Sequence, residues 1–128
     1  MYLSLFAIAS GAALGAILRW LLGISLNSLH SCLPYGTLVA NLIGAYLIGL
    51  SSGLFMHLVN IAPEWRLFVI TGFLGGLTTF STFSLESVQL LQSQRYAIAI
   101  THMLLHTGGS LLLTILGLLS VHWWLKIA

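Results

Sequence analysis

The most informative part of the sequence is GFLGGLTTFSTFS, which occupies residues 72–84 within a long apolar run. Glycine and β-branched threonine are poor helix formers, so Gly75-Gly76 beside Thr78-Thr79 predicts a break in the middle of a membrane helix. Non-helical backbone at that depth needs protein or water around it, and the carbonyls freed at a half-helix end can coordinate a cation. A simple kink, satisfied by Ser and Thr hydroxyls, is the alternative.

Two phenylalanines follow the expected break. Phe80 and Phe83 lie three residues apart and share a helix face, among the hydroxyls of Ser81, Thr82 and Ser84. Aromatic rings carry positive edges, so rings turned edge-on can line a path for a small anion without a fixed charge that would trap it. Phe at helical spacing usually serves packing alone, but the hydroxyls and the adjacent break favour the anion path.

The composition around this stretch is that of a membrane protein. Of 128 residues, 59% are hydrophobic and 5% are charged, whereas a soluble domain has about 25% charged residues. This excludes a soluble protein, and we expect no enzymatic activity. The charged residues leave uncharged runs at 1–18, 20–63, 67–85 and 96–125. Each run has room for a spanning helix of roughly 20 residues, so an all-α membrane protein with four transmembrane helices is predicted.

The predicted helices cover about 3–24, 36–59, 65–92 and 97–124 of a single transmembrane domain, 1–128. Cys32 is the only cysteine and cannot form an internal disulfide. The net charge of +2 rests on too few residues to suggest a nucleic-acid surface. We therefore expect the chain to contact membrane lipid and not to bind nucleic acid.

Lysine and arginine do not favour one orientation in the membrane. Four spans put both termini on one side together with Arg66 and Lys126, while Arg19 and Arg95 lie toward the other side. A chain without a charge bias has no reason to insert one way, and a mixture of both orientations permits an antiparallel homodimer. A single orientation set by something other than loop charge is the alternative.

Small residues recur every four positions on the first two helices, which lets helix backbones approach closely in lipid. They are Gly11 and Gly15 before Arg19, and then Thr37, Asn41, Ala45, Gly49 and Gly53. An intramembrane Asn is costly unless it faces protein or water. Asn41 is therefore expected either to form an interhelical hydrogen bond or to line a permeation path.

The fourth helix carries a polar stripe. His102, His106, Ser110 and Thr114 follow one another at four-residue spacing on an otherwise apolar helix. Such a stripe suits a hydrated or anion-conducting path. A metal site is the rival interpretation, but no Cys and no third His within helical reach completes a ligand shell. For His106 alone, a satisfied buried imidazole remains the simpler reading.

The segment GGLTTFSTFS at residues 75–84, followed by Glu86, closely resembles the signature of the Fluc (CrcB) bacterial fluoride channels. Gly11, Gly15 and Arg19 resemble the family's first-helix pattern. The second-helix pattern is matched by Gly36-Thr37-Leu38 with Asn41, Gly44 and Gly49. The resemblance covers the whole chain in length, span count and motif order, with Tyr46 as a minor departure where the family often has Phe.

This resemblance implies a dual-topology antiparallel homodimer with two fluoride pores and a central structural sodium ion. Gly75 and Thr78 then match positions whose backbone carbonyls bind sodium, and Phe80 and Phe83 match the ring-edge positions of the pores. The polar pore-lining positions are matched by Asn41, Ser81, Thr82, Ser110 and Thr114. Arg19 matches the basic residue near a vestibule, and Glu86 and His106 are expected in vestibule or structural roles.

The function that the resemblance implies is passive export of cytoplasmic fluoride across the bacterial inner membrane, which lowers fluoride toxicity. A proton-coupled small multidrug exporter is the alternative, since it also has four short spans. It needs a titratable carboxylate in a central cavity, and Glu86 is the only carboxylate in a span. A non-transporting scaffold subunit would explain the glycines but not the Phe and hydroxyl segment.

Overall fold

A computed structural model describes residues 1–27, 33–58 and 60–127, and within them the chain is helical without β-strands. Helix α1 is Tyr2–Asn27 and α2 is Tyr35–His57. Helix α3, residues 63–77, joins the segments Pro63–Arg66, Leu67–Leu74 and Gly75–Leu77, the middle one being π-helical. Helix α4 is Phe80–Gln92 and α5 is Tyr96–Ile127. Taking α3 and α4 as one span, four helices are long and apolar enough to cross a membrane.

These bounds agree with the predicted number and order of spans and differ at the ends. Helix α2 ends at His57, and the predicted end near Val59 lies outside the described residues, as does Cys32. The third span begins two residues earlier than predicted, at Pro63. Proline fits the first turn of a helix, because the N–H that it lacks has no partner there.

The break in the third span lies at Thr78 and Thr79. Both residues are extended, with φ, ψ of −83°, 155° and −150°, 122°. The Thr79 hydroxyl then caps α4 by accepting the Thr82 N–H at 3.2 Å. Gly75 and Gly76 stay helical, so the threonines alone leave the helix. Threonine suits this position because it favours extended backbone and its hydroxyl can cap the next helix.

Glycines hold the helices together in two pairs. A Cβ on Gly11 or Gly15 of α1 would overlap a carbonyl oxygen of α3, and a Cβ on Gly49 of α2 would overlap the Thr114 carbonyl oxygen of α5. Helix α1 therefore packs backbone to backbone on α3, and α2 packs in the same way on α5. The fully buried Ala40 and Leu77, one on α2 and one on α3, join the two pairs next to the break.

Candidate functional site

A groove of about 480 Å³ lies along the break, between α2, α4 and α5. The wall of this groove contains five of the residues predicted for a fluoride pathway, which are Asn41, Phe80, Phe83, Ser110 and Thr114. Thr78, Thr79 and His106 add further polar groups to the same wall. The groove thus combines hydroxyl, amide and imidazole groups with two aromatic rings.

Asn41 is the side chain that satisfies the broken backbone. Its amide oxygen accepts the Thr79 N–H at 2.8 Å, and its amide nitrogen donates to the Thr79 carbonyl at 3.0 Å. The same nitrogen lies 3.0 Å from Nδ1 of His106. Since the amide nitrogen only donates, Nδ1 accepts and the ring proton of neutral His106 resides on Nε2. Asn41 thus makes the interhelical hydrogen bonds that one interpretation expected, and it also lines the groove.

The two phenylalanines lie side by side, with their ring centroids 5.5 Å apart and their planes at 59°. Their environments differ, because Phe80 is 77% exposed and Phe83 is buried. The Phe83 ring stacks on the His106 ring at 4.7 Å and 28°. The orientation of Phe83 is therefore set by α5, whereas nothing within the described chain covers Phe80.

Two predicted pathway residues stand beside the groove rather than in its wall. The hydroxyls of Ser81 and Thr82 lie 3.2 and 3.0 Å from the Thr79 hydroxyl, and they form a small cluster at the start of α4. Thr79, which sequence reasoning did not single out as a site residue, connects this cluster to Asn41. Its only signal in the sequence is its place between the glycine pair and Phe80.

Arg19 contacts the backbone just before the break. Its Nε donates to the Gly76 carbonyl at 3.0 Å, and the side chain is half-buried. A guanidinium within the apolar part of a chain needs such an acceptor, because an unsatisfied charge there is costly. The arginine predicted for a vestibule therefore also ties α1 to α3.

Glu86 does not line the groove and contacts one residue of α2 and one of α5. The Thr37 hydroxyl donates to Oε1 of Glu86 at 2.6 Å, and Nε2 of His102 lies 3.6 Å from Oε2. His102 itself is fully buried and does not line the groove. The sequence analysis considered only Cys and His along one helix as metal ligands. It therefore did not group Glu86, which comes from α4, with the two histidines.

The break also changes the partners of two carbonyls. In an unbroken helix the Thr79 N–H would donate to the Gly75 carbonyl, and the Thr82 N–H would donate to the Thr78 carbonyl. Here these N–H groups donate to the Asn41 amide oxygen and to the Thr79 hydroxyl. The carbonyls of Gly75 and Thr78 thus lose their helical donors, as the predicted break requires for a cation site. A monovalent alkali ion suits such neutral oxygen ligands.

The chain is similar to named ion channels over nearly its whole length. The model of the family described as CrcB-like protein, Camphor Resistance (CrcB), matches residues 6–118, which include every residue of the groove. A relative from Pseudomonas aeruginosa is 58% identical over 98% of each chain. One from Chromohalobacter salexigens is 60% identical over 92% of this chain and 89% of the relative, and one from Nitrosomonas europaea is 52% identical over 97% and 98%. All three are named fluoride-specific ion channel FluC.

We expect Asn41→Asp to destabilise the break. The carboxylate can still accept the Thr79 N–H, but it cannot donate to the Thr79 carbonyl or to His106, and it sets acceptors against acceptors. The cost of such unsatisfied groups is about 1–3 kcal/mol, which thermal unfolding in detergent measures as a lower midpoint. Asn27→Asp is the matched control, because the Asn27 amide oxygen accepts the Gly36 N–H and an aspartate keeps this bond. Equal midpoints for the two variants would contradict the role of Asn41.

Proposed function

This chain belongs to the CrcB family, and we propose that it is a passive channel that carries fluoride out of the cell across the bacterial inner membrane. The observation that carries the proposal is the groove at the broken helix, where Asn41, Ser110 and Thr114 supply neutral hydrogen-bonding groups beside two phenylalanine rings. The relatives' name, fluoride-specific ion channel, gives the substrate.

The chemistry of the groove suits a small, strongly hydrated anion. Hydroxyl and amide donors replace part of the hydration shell, and positive ring edges attract the anion without binding it as a fixed cation would. Within the described residues, the groove wall contains no Lys or Arg. Fluoride enters a cell as neutral hydrogen fluoride and ionises inside, so an open passive path for the anion is enough to lower its toxicity.

A second, antiparallel copy of the chain completes the proposed pathway. Phe80 is largely exposed in the single chain, and a Cβ on Gly75 would meet only the Ile70 carbonyl oxygen, at 3.7 Å. Packing within one chain therefore does not require glycine at this position, although glycine destabilises a helix by roughly 0.5–1 kcal/mol relative to alanine. Close approach of a neighbour accounts for both features. A twofold dimer brings the same patch from both copies together, and the balanced Lys and Arg residues allow opposite orientations.

A structural sodium ion fits the same break. The candidate ligands are the carbonyls of Gly75 and Thr78, which have lost their helical donors to Asn41 and to the Thr79 hydroxyl. When bound, the ion would supply positive charge to backbone oxygens that lipid cannot satisfy. Asn41 and the Thr79 hydroxyl keep these carbonyls without helical donors by holding Thr78 and Thr79 extended.

The groove is unsuited to a proton-coupled drug exporter. Exchange of protons for a cationic drug requires a titratable carboxylate in the binding cavity. Glu86 is instead engaged by Thr37 and lies next to His102, and among the described residues no carboxylate lines the groove. Fluoride passage therefore has the stronger support.

We expect vesicles that contain only this protein to release fluoride, and Phe80→Ile and Phe83→Ile to slow the release. Isoleucine keeps the bulk but lacks the positive ring edge. An aromatic edge interaction is worth about 0.5–1.5 kcal/mol, so each variant should lower the rate roughly 2- to 12-fold. A fluoride electrode measures the release after a potassium ionophore removes the membrane potential.

The matched control is Phe6→Ile, because Phe6 is 73% exposed on α1 and does not line the groove. If the Phe80 and Phe83 variants assemble normally and release fluoride at the parent rate, these rings serve only in packing. An absence of release from vesicles with the unmodified chain would overturn the proposed function itself.

We expect a cysteine at Gln94, in a Cys32→Ser background, to react with an impermeant thiol reagent on roughly half of the chains before the membrane is opened. Gln94 is exposed in the connector between α4 and α5. A cysteine at Asn60, at the other end of the third span, serves as the comparison and should also react by half. Complete reaction at one position with none at the other would reveal a single orientation and contradict the antiparallel dimer.

We expect a sodium gradient to leave the direction of fluoride movement unchanged, because an ion held by backbone carbonyls at the break stays in place while fluoride moves. Prolonged removal of sodium should lower the rate of release, and its return should restore the rate. The measurement uses vesicles loaded with equal fluoride on both sides and sodium on one side. Net uphill fluoride movement there would mean symport, not a structural ion.

A further inference from the structure

Three potential metal ligands converge behind the groove, and we refer to them as the buried triad: Glu86 of α4 with His102 and His106 of α5. One ligand atom from each residue lies within 4.8 Å of the other two. His102 is fully buried, and His106 is 4% exposed. The two histidines are one helical turn apart, which brings their ring centroids to 4.3 Å.

The buried triad holds unsatisfied polar atoms. Oε2 of Glu86, both ring nitrogens of His102 and Nε2 of His106 are buried without a hydrogen-bond partner. Buried polar atoms are nearly always bonded, and leaving one unsatisfied costs about 1–3 kcal/mol. A bound ion would satisfy three of these four atoms, one from each residue.

Neighbouring side chains also orient the triad. Thr37 donates to Oε1 of Glu86 at 2.6 Å, which leaves Oε2 turned toward His102, 3.6 Å away. Asn41 donates to Nδ1 of His106, so Nε2, which carries the ring proton in this arrangement, is the nitrogen left without a partner. A hydrogen bond to a ligating carboxylate, such as the one from Thr37 to Glu86, is typical of metal sites.

We propose that the buried triad binds a divalent transition metal ion of the zinc type. Two imidazoles and one carboxylate are a donor set for zinc, with the fourth position left for water. Nitrogen ligands are unsuited to sodium, calcium and magnesium, which take oxygen. Zinc bonds are about 2.0–2.2 Å long, so the ligand atoms of a tetrahedral ion lie about 3.3–3.6 Å apart. The present separations, of up to 4.8 Å, are longer, so the three side chains must draw together by roughly 1 Å as the ion binds.

Metal binding at the triad would change the groove. To ligate through Nε2, His106 must carry its ring proton on Nδ1, and Nδ1 then no longer accepts from Asn41. The ion would also add two positive charges against the single negative charge of Glu86. Because His106 stacks on Phe83 and Asn41 holds Thr79, occupancy should slow fluoride release. This last consequence rests on the proposed function, whereas the metal site does not.

The test measures binding of Zn²⁺ alone to the full-length purified chain in detergent, in excess sodium, by equilibrium dialysis. The parent protein carries His30→Gln, His57→Gln and His122→Gln, so that His102 and His106 are the only histidines left. We expect one saturable ion per chain, with an affinity equal to that of the unmodified chain. Glu86→Gln, His102→Gln and His106→Gln should each weaken binding by at least about tenfold, the lower bound for loss of even an outer partner.

Cobalt gives a second reading that does not depend on transport. Co²⁺ in a tetrahedral site of nitrogen and oxygen ligands has intense visible bands, which His102→Gln should abolish. His102→Cys keeps a ligand at this position, and it should retain binding and add a sulfur-to-cobalt charge-transfer band. This variant separates loss of a ligand from loss of folding.

The outcomes distinguish the metal site from the channel function. Absence of saturable zinc binding, or binding that all three Gln variants leave unchanged, would overturn the site. Binding that depends on the triad supports it even where fluoride release is absent altogether. Zinc that binds the triad and leaves fluoride release unaffected would contradict the coupling through His106.

Discussion

An interrupted helix in a membrane must find partners for its backbone within the protein, and the rest of this structure follows from that requirement. At Thr78 and Thr79 the chain is extended in the middle of a span, where lipid offers no hydrogen bonds. One side chain, Asn41, both accepts from and donates to the Thr79 peptide. The break persists because α2 brings this amide to it, and the groove exists because the backbone does not close into a helix there.

Glycines allow α2 to come close enough for Asn41 to reach the break. Gly49 lets α2 lie against the backbone of α5, and Gly15 lets α1 lie against α3, so that the two pairs meet at the break. In lipid such close packing must supply the association energy, because burial of apolar surface gives none. A larger side chain at these positions would push α2 outward and move Asn41 away from Thr79. Close helix packing therefore sets the distance between Asn41 and Thr79 on which the polar site depends.

Much of the fold could be predicted from local features of the sequence. Four spans follow from the positions of the charged residues, and a break follows from a glycine pair beside two threonines. Long-range partners could not be predicted, because nothing in the local pattern near Thr79 indicates that its amide partner is 38 positions earlier. For the same reason the sequence did not predict that Glu86 lies next to His102 and His106, which come from another helix. The π-helical Leu67–Leu74 also lies in a run whose residues carry no signal for it.

The site separates neutral from ionisable groups within a few ångströms. The groove presents hydroxyls, an amide and two phenylalanine rings, while the Glu86 carboxylate lies behind Phe83, against Thr37 and His102. A carboxylate in the groove would repel an anion, so its place behind the ring is consistent with the proposed fluoride path. His106 belongs to both regions, because it stacks on Phe83, accepts from Asn41 through Nδ1 and leaves Nε2 buried without a partner. A ligand at Nε2 of His106 would therefore affect the break through the hydrogen bonds that link the His106 ring to Asn41 and Asn41 to Thr79.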